Sequence, residues 1–172
     1  MKFTSKHTST LTEKHQFQGY TNNCGPFCTA IAISYLTSNP VGGDQIAQEM
    51  NVIQWFKFPL SIKRIPNSAT FPWGIVEMLK KHGVKSRWHI FSNLSRVAQD
   101  ISDGNLIIVL TALYRPLSAH YRLLTGVDEK EISFIDPAYN QKSISCESKE
   151  AFLKKWRAAG NIFISIYPDA SQ

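Results

Sequence analysis

Residues 25–36 are apolar or small almost without interruption, which is the pattern of a helix buried on every side. Pro26 suits its first turn, where a helix has no use for the missing N–H. The stretch "SNPVGG" at 38–43 ends it, and Asp44 reads as the N-cap of a short helix to about Met50. Residues 51–69 hold two prolines and no period, so they read as a long irregular connection. Over 70–82 the pattern predicts a helix, with Pro72 in its first turn, Ile75, Val76, Met78 and Leu79 as apolar positions, and Gly83 fitting just past its end.

The second half changes period. It predicts a strand over 84–91, a helix over 92–104, and strands over 106–114, 120–127 and 131–136. "DEK" at 128–130 makes the last two a hairpin. A helix over 148–160 turns Phe152, Leu153 and Trp156 inward, and a closing strand covers 161–167. Helices first and mostly antiparallel strands afterwards define an α+β class. There is no internal repeat. Residues 1–15 read as a polar N-terminal arm, frayed or ordered on docking, 16–168 as a single domain, and 169–172 as a tail.

Composition narrows the function classes. At 172 residues, 43% hydrophobic and 19% charged, the chain has the make-up of one globular domain. No apolar run reaches the ~18 residues that span a bilayer. The N-terminus lacks the apolar centre of a signal peptide, so the expected location is cytoplasmic, or exported if an upstream segment is removed. The net charge of +6 is scattered, and "KK" at 80–81 and 154–155 falls on polar helix faces. Without a basic patch interleaved with aromatics, no nucleic-acid partner is expected. Three cysteines at irregular spacing imply no disulfide framework and at least one thiol free or paired between molecules.

Cys24 and Cys28, one turn apart, pose the chemical question. A cysteine nucleophile acts as its thiolate, and Cys24 stands directly before "GP", where helix amides and the dipole favour negative charge. Cys28 lies a turn further in and reads as a small core residue. Among the histidines, His7 and His15 fall in the polar arm, His82 at a helix end and His89 in a strand as a half-buried residue. His120 opens one arm of the hairpin and Asp136 ends the other, so the carboxylate and the ring are expected to be neighbours, or else surface decoration. Gln18, six residues before Cys24, offers an amide for an oxyanion. A zinc site built on Cys24, Cys28, Cys146 and a histidine is the rival reading, but no second close-spaced pair accompanies them. Cys146 itself reads as a strand-end residue beside a helix cap.

In this order and spacing, "Q-x5-CGPFCTAIAISYL", "PW" with its helix, "HYRLLTGVDEKEISFIDPAYN" and "F-x3-W" resemble the papain-like cysteine peptidases, and among them the C39 and C39-like peptidases. The resemblance runs from about Gln16 to Tyr167. It implies a two-lobed papain-like fold, with Cys24 on a central buried helix and His120 and Asp136 on a twisted antiparallel sheet. It also implies a triad: Cys24 as nucleophile, His120 as general base, Asp136 orienting the ring, and Gln18 completing the oxyanion hole with the Cys24 backbone N–H. The expected activity is peptide hydrolysis through a thioacyl-enzyme, by a monomer with no cofactor and no metal, on a peptide or protein substrate. Amide hydrolysis or acyl transfer on the same scaffold, and a non-catalytic peptide-binding module, remain as alternatives. The aromatic stretch 51–73, with Trp55, Phe56, Phe58, Phe71 and Trp73, is the expected specificity segment.

Overall fold

A computed structural model describes residues 2–52, 62–113 and 119–168. The chain begins with β1 (Phe3–Thr4) and α1 (Thr8–Glu13). Of the two states expected for the polar N-terminal arm, frayed or ordered on docking, residues 2–15 show the second, as a strand and a helix. β1 pairs with a central strand of the main sheet, Leu11 is fully buried, and His7 is buried between the Tyr35 hydroxyl and the Gly104 carbonyl. His15 is buried too. A few well-placed contacts suffice to dock a segment whose average is polar.

The buried helix α2 (Cys24–Leu36) and the short α3 (Gly43–Met50) follow. Gly42, not Asp44, is the N-cap of α3. Asp44 lies in the first turn, where its charge still suits the helix dipole, and it accepts a hydrogen bond from Asn23 Nδ2 at 3.4 Å. The segment read as irregular contains a small hairpin, β2 (Arg64–Ile65) with β3 (Ala69–Thr70). Trp55, Phe56 and Phe58 lie outside the described residues.

The remaining elements are α4 (Pro72–Lys81), β4 (Lys85–His89), α5 (Leu94–Ser102), β5 (Leu106–Ala112), β6 (Ala119–Val127), β7 (Glu131–Ile135), β8 (Ser145–Ser148), α6 (Lys149–Ala158) and β9 (Phe163–Tyr167). Asn93 and Ser148 cap α5 and α6 by accepting from Arg96 N and Ala151 N. β8 is expected only as far as Cys146 reads as a strand-end residue, and each of these other elements answers to an expected one. The strands form one antiparallel sheet in the order β4-β9-β5-β6-β7-β8, with β1 beside the end of β6.

Alternation along the central strands splits the core in two. Ile108, Leu110, Tyr121, Leu123 and Ile135 pack with Cys28, Ile31 and Ile75 of α2 and α4. Ile107, Val109, Leu124 and Phe134 pack on the other face with Val97 of α5 and Phe152 and Trp156 of α6. The sheet is therefore covered on both sides, which is why β5 is buried at all seven positions.

Two glycines let the helices approach the β2–β3 hairpin. A Cβ on Gly25 would sit 2.8 Å from the Thr70 side chain, and one on Gly74 would sit 2.4 Å from the Lys63 carbonyl oxygen. The second obstacle is backbone and cannot swing away. Gly74→Ala is therefore expected to cost about 1–3 kcal/mol, read as a lowered thermal midpoint, with the hairpin displaced from α4. An unchanged midpoint would show that the hairpin is free to shift.

Candidate active site

Cys24 is the first residue of α2 and is 8% exposed, at the floor of a narrow cavity of about 100 Å³. Gln18, Thr70, His120 and Tyr121 also line it. The helix N-terminus presents backbone N–H groups there that no turn of helix satisfies. Asn23, the N-cap, does not cap with its side chain. Its Oδ1 instead accepts a 2.7 Å hydrogen bond from Arg64, which is buried and also donates to the Ala47 carbonyl. Burial pulls the Arg64 guanidinium below its usual range, and negative charge at Cys24 acts against that shift. Sequence reading missed Arg64, because its position depends on a hairpin with no periodic signal.

His120 and Asp136 meet as the hairpin predicts. The register pairs Leu123 with Ile135, so the start of β6 lies beside the residue that follows β7. His120 Nε2 and Asp136 Oδ1 are 2.7 Å apart, and the same oxygen accepts from Ala138 N at 2.9 Å. Cys24 and His120 line the same cavity, and negative charge at the sulfur favours a protonated ring. With Nε2 engaged by Asp136, Nδ1 is the ring nitrogen left for another partner. Burial would lower the His120 pKa, but the hydrogen bond to Asp136, and negative charge on Asp136 and Cys24, raise it to about 9. Burial pushes Asp136 up, and its bond to His120, the charges of His120 and Arg122, and the Ala138 amide together hold it below the usual carboxylate range.

Gln18 is in the same cavity. Its backbone N–H donates to the Pro137 carbonyl at 2.9 Å, tying the loop before α2 to the corner that carries Asp136. A second tie is His15 Nε2, which donates to the Asp136 carbonyl at 3.2 Å. The Gln18 amide gives one N–H to the Thr21 carbonyl at 2.7 Å, and its Oε1 is buried without a partner. One amide hydrogen is left after that bond.

The other thiols lie apart from this chemistry. Cys28 is fully buried, its Sγ donating to the Tyr121 carbonyl at 3.4 Å, and burial pushes its pKa well up. Cys146 is exposed on β8, two residues before the Ser148 cap. Among the described residues, no group of three His, Cys, Asp or Glu side chains is arranged to hold a metal ion. His82 Nε2 donates to the Glu49 carboxylate at 3.3 Å. His89 stacks on Phe163.

A buried helix packed on an antiparallel sheet, with Cys24 at the helix start in one cavity with His120, is the arrangement for which comparisons with known proteins point to a peptidase class. Residues 8–164 match the Peptidase_C39 like family, and the chain belongs to that family. Among curated proteins no sequence matches. Among solved structures, a protein assigned to the C39-like peptidases from Bacillus anthracis shares the fold with a TM-score of 0.73 at 13% identity, covering 97% of this chain and 98% of that one. The peptidase domain of Streptococcus ComA, a bifunctional ABC transporter of a quorum-sensing pathway, gives 0.61 at 20% identity over 90% and 97%. A double glycine motif protease from an AMS/PCAT transporter, in complex with the leader peptide, gives 0.56 at 15% identity over 84% of each. Family and fold together support a peptidase role. Among the described residues no helix is long and apolar enough to cross a membrane.

Proposed function

We propose that the protein is a cysteine peptidase that cleaves peptide bonds through Cys24, His120 and Asp136. The observation that carries this reading is the 2.7 Å His120–Asp136 contact on a ring that lines one cavity with Cys24, the first residue of a buried helix. The Cys24 sulfur, having passed its proton to His120 Nδ1, attacks the substrate carbonyl carbon. A C–S bond forms and the carbonyl oxygen takes the negative charge, facing the Cys24 backbone N–H and the remaining N–H of Gln18. The imidazolium then gives its proton to the leaving nitrogen, the C–N bond breaks and the amine departs. Water attacks the thioester while His120 takes its proton, the C–S bond breaks, and the carboxylic acid leaves with the thiol restored. Asp136 keeps Nε2–H engaged throughout, which fixes Nδ1 toward sulfur.

The narrow cavity suits an extended peptide with small side chains next to the cleaved bond. Because a structural relative is a double glycine motif protease bound to its leader peptide, peptides of that kind are the first substrates to try. An amine in place of water would give transfer by the same steps, so product analysis separates the two.

Labelling with an epoxide peptidomimetic, followed by peptide mapping, tests the assignment. Selective modification of Cys24 over Cys28 and Cys146 is expected, and blocked by prior incubation with a cleavable peptide. Equal reaction of the three cysteines, or modification of exposed Cys146 alone, would overturn it.

A further inference from the structure

A buried cation lies behind the His120–Asp136 pair and has no part in the steps above. Arg122 is two residues beyond His120 on β6, so both side chains leave the same face of the strand. Continuing the register of Leu123 with Ile135 by one residue sets Arg122 directly across from Asp136. Arg122 is 8% exposed, and with His120 and Asp136 it lines a second cavity, of about 250 Å³. Its guanidinium lies 3.8 Å over the Phe134 ring and donates to Glu147 at 2.6 Å and to Thr111 Oγ1 at 3.4 Å. Thr111 Oγ1 in turn donates to the His120 carbonyl at 3.2 Å.

A buried guanidinium is expensive unless its charge is answered. Glu147 answers it incompletely, because that carboxylate is shared with Lys155 of α6. Two cations on one anion leave a positive charge in excess, and Asp136 is the anion across the hairpin. We propose that Arg122 is a positioning residue for the reaction: it holds the Asp136 carboxylate anionic and in place, and so keeps the His120 ring aimed at Cys24. This rests on the triad reading, since Arg122 touches neither sulfur nor substrate. The groups around Asp136 are His120 and Arg122 from β6, Cys28 from α2, His15 on its backbone carbonyl, and Tyr139 and Lys155 from the turn and helix that close the second cavity. Of these, Arg122 and Lys155 are the fixed cations, and Arg122 is the one across the strand pair. Sequence reading passed over it as one more scattered basic residue.

The test uses the full chain and two substitutions of opposite expected sign. Arg122→Met removes the cation; Glu147→Gln removes its counter-charge and leaves the cation more fully directed at Asp136. The titration midpoint of Asp136, read by 13C NMR of its carboxyl carbon, is expected to rise in Arg122→Met and fall in Glu147→Gln. The acid limb of kcat/KM should move with it: Arg122→Met loses about tenfold near the acid limb and far less on the plateau, KM is unchanged, and Arg122→Lys restores most of the loss. In an Asp136→Asn background, Arg122→Met should add less than about twofold. An Asp136 midpoint that stays put in both variants overturns the proposal, as does a loss of kcat/KM that is uniform across pH or fully additive with Asp136→Asn. Should Arg122→Met fail to fold, the downward shift in Glu147→Gln decides. If the wild type itself turns over no peptide, the peptidase reading fails while the Asp136 midpoints still judge the coupling.

Discussion

Replacing Cys24 with alanine is expected to bring peptide turnover below detection, a drop on the order of 10⁴-fold or more, with the fold intact. The loss is chemical, because no other thiol reaches the His120 ring: Cys28 is bonded to the Tyr121 carbonyl a turn deeper, and Cys146 is on the far strand β8. The fold survives because the sulfur sits at a cavity floor, where its removal opens no enclosed void, for a cost of about 1 kcal/mol or less. Cys28→Ala is the counterpart with the opposite balance. It empties a fully buried site and frees the Tyr121 carbonyl, costing about 1–2 kcal/mol, yet it should keep most of the turnover. Steady-state kinetics beside thermal melts of the two variants make the comparison. Equal loss of turnover from both would remove the distinction on which the assignment of Cys24 rests.

That distinction was legible in the sequence, and the reason is local. The position of a cysteine relative to a helix start can be read from the apolar run and the "GP" that begins it. His120 and Asp136 were legible by similar logic, since a tight hairpin brings the start of one strand beside the end of the next whatever surrounds them. Arg64, Arg122 and His15 were not. Each owes its place to an approach between segments distant in the chain: Arg64 to Asn23, Arg122 to Glu147 and Phe134, His15 to the Asp136 carbonyl. A scattered basic residue carries no sign of which carboxylate it will meet. The short elements escaped for a related reason. β8 has the sequence "SCES" and takes its order from pairing with β7, while β1 and α1 dock a polar segment through Phe3, His7 and Leu11. Two- and four-residue strands hold no period to detect, so tertiary contact decides them.

Replacing His120 with alanine should be nearly as damaging as losing the thiol, lowering kcat/KM by about 10³-fold or more, because one ring both takes the proton from sulfur and delivers it to the leaving nitrogen. Its pKa of about 9 also fixes the shape of the wild-type pH profile. Below that value the ring is protonated and holds the proton the amine needs; as pH rises through about 9 that proton is lost and kcat/KM should fall. Asp136→Asn removes the hydrogen-bonded anion that helps raise the ring, so this alkaline limb should move to lower pH, with a smaller though still severe loss of rate. Stability follows the same linkage. A histidine raised on folding stabilises the native state fully below its unfolded value near 6.5, and that contribution disappears as pH rises through about 9. His120→Ala should therefore cost more stability at pH 6 than at pH 10, since at acid pH it also strands the buried Asp136 carboxylate opposite Arg122 without its imidazolium partner. Chemical denaturation of both proteins across that range measures the difference. A cost independent of pH would mean that the ring carries no charge in the folded state, and an alkaline limb that persists in His120→Ala would assign the lost proton to another group.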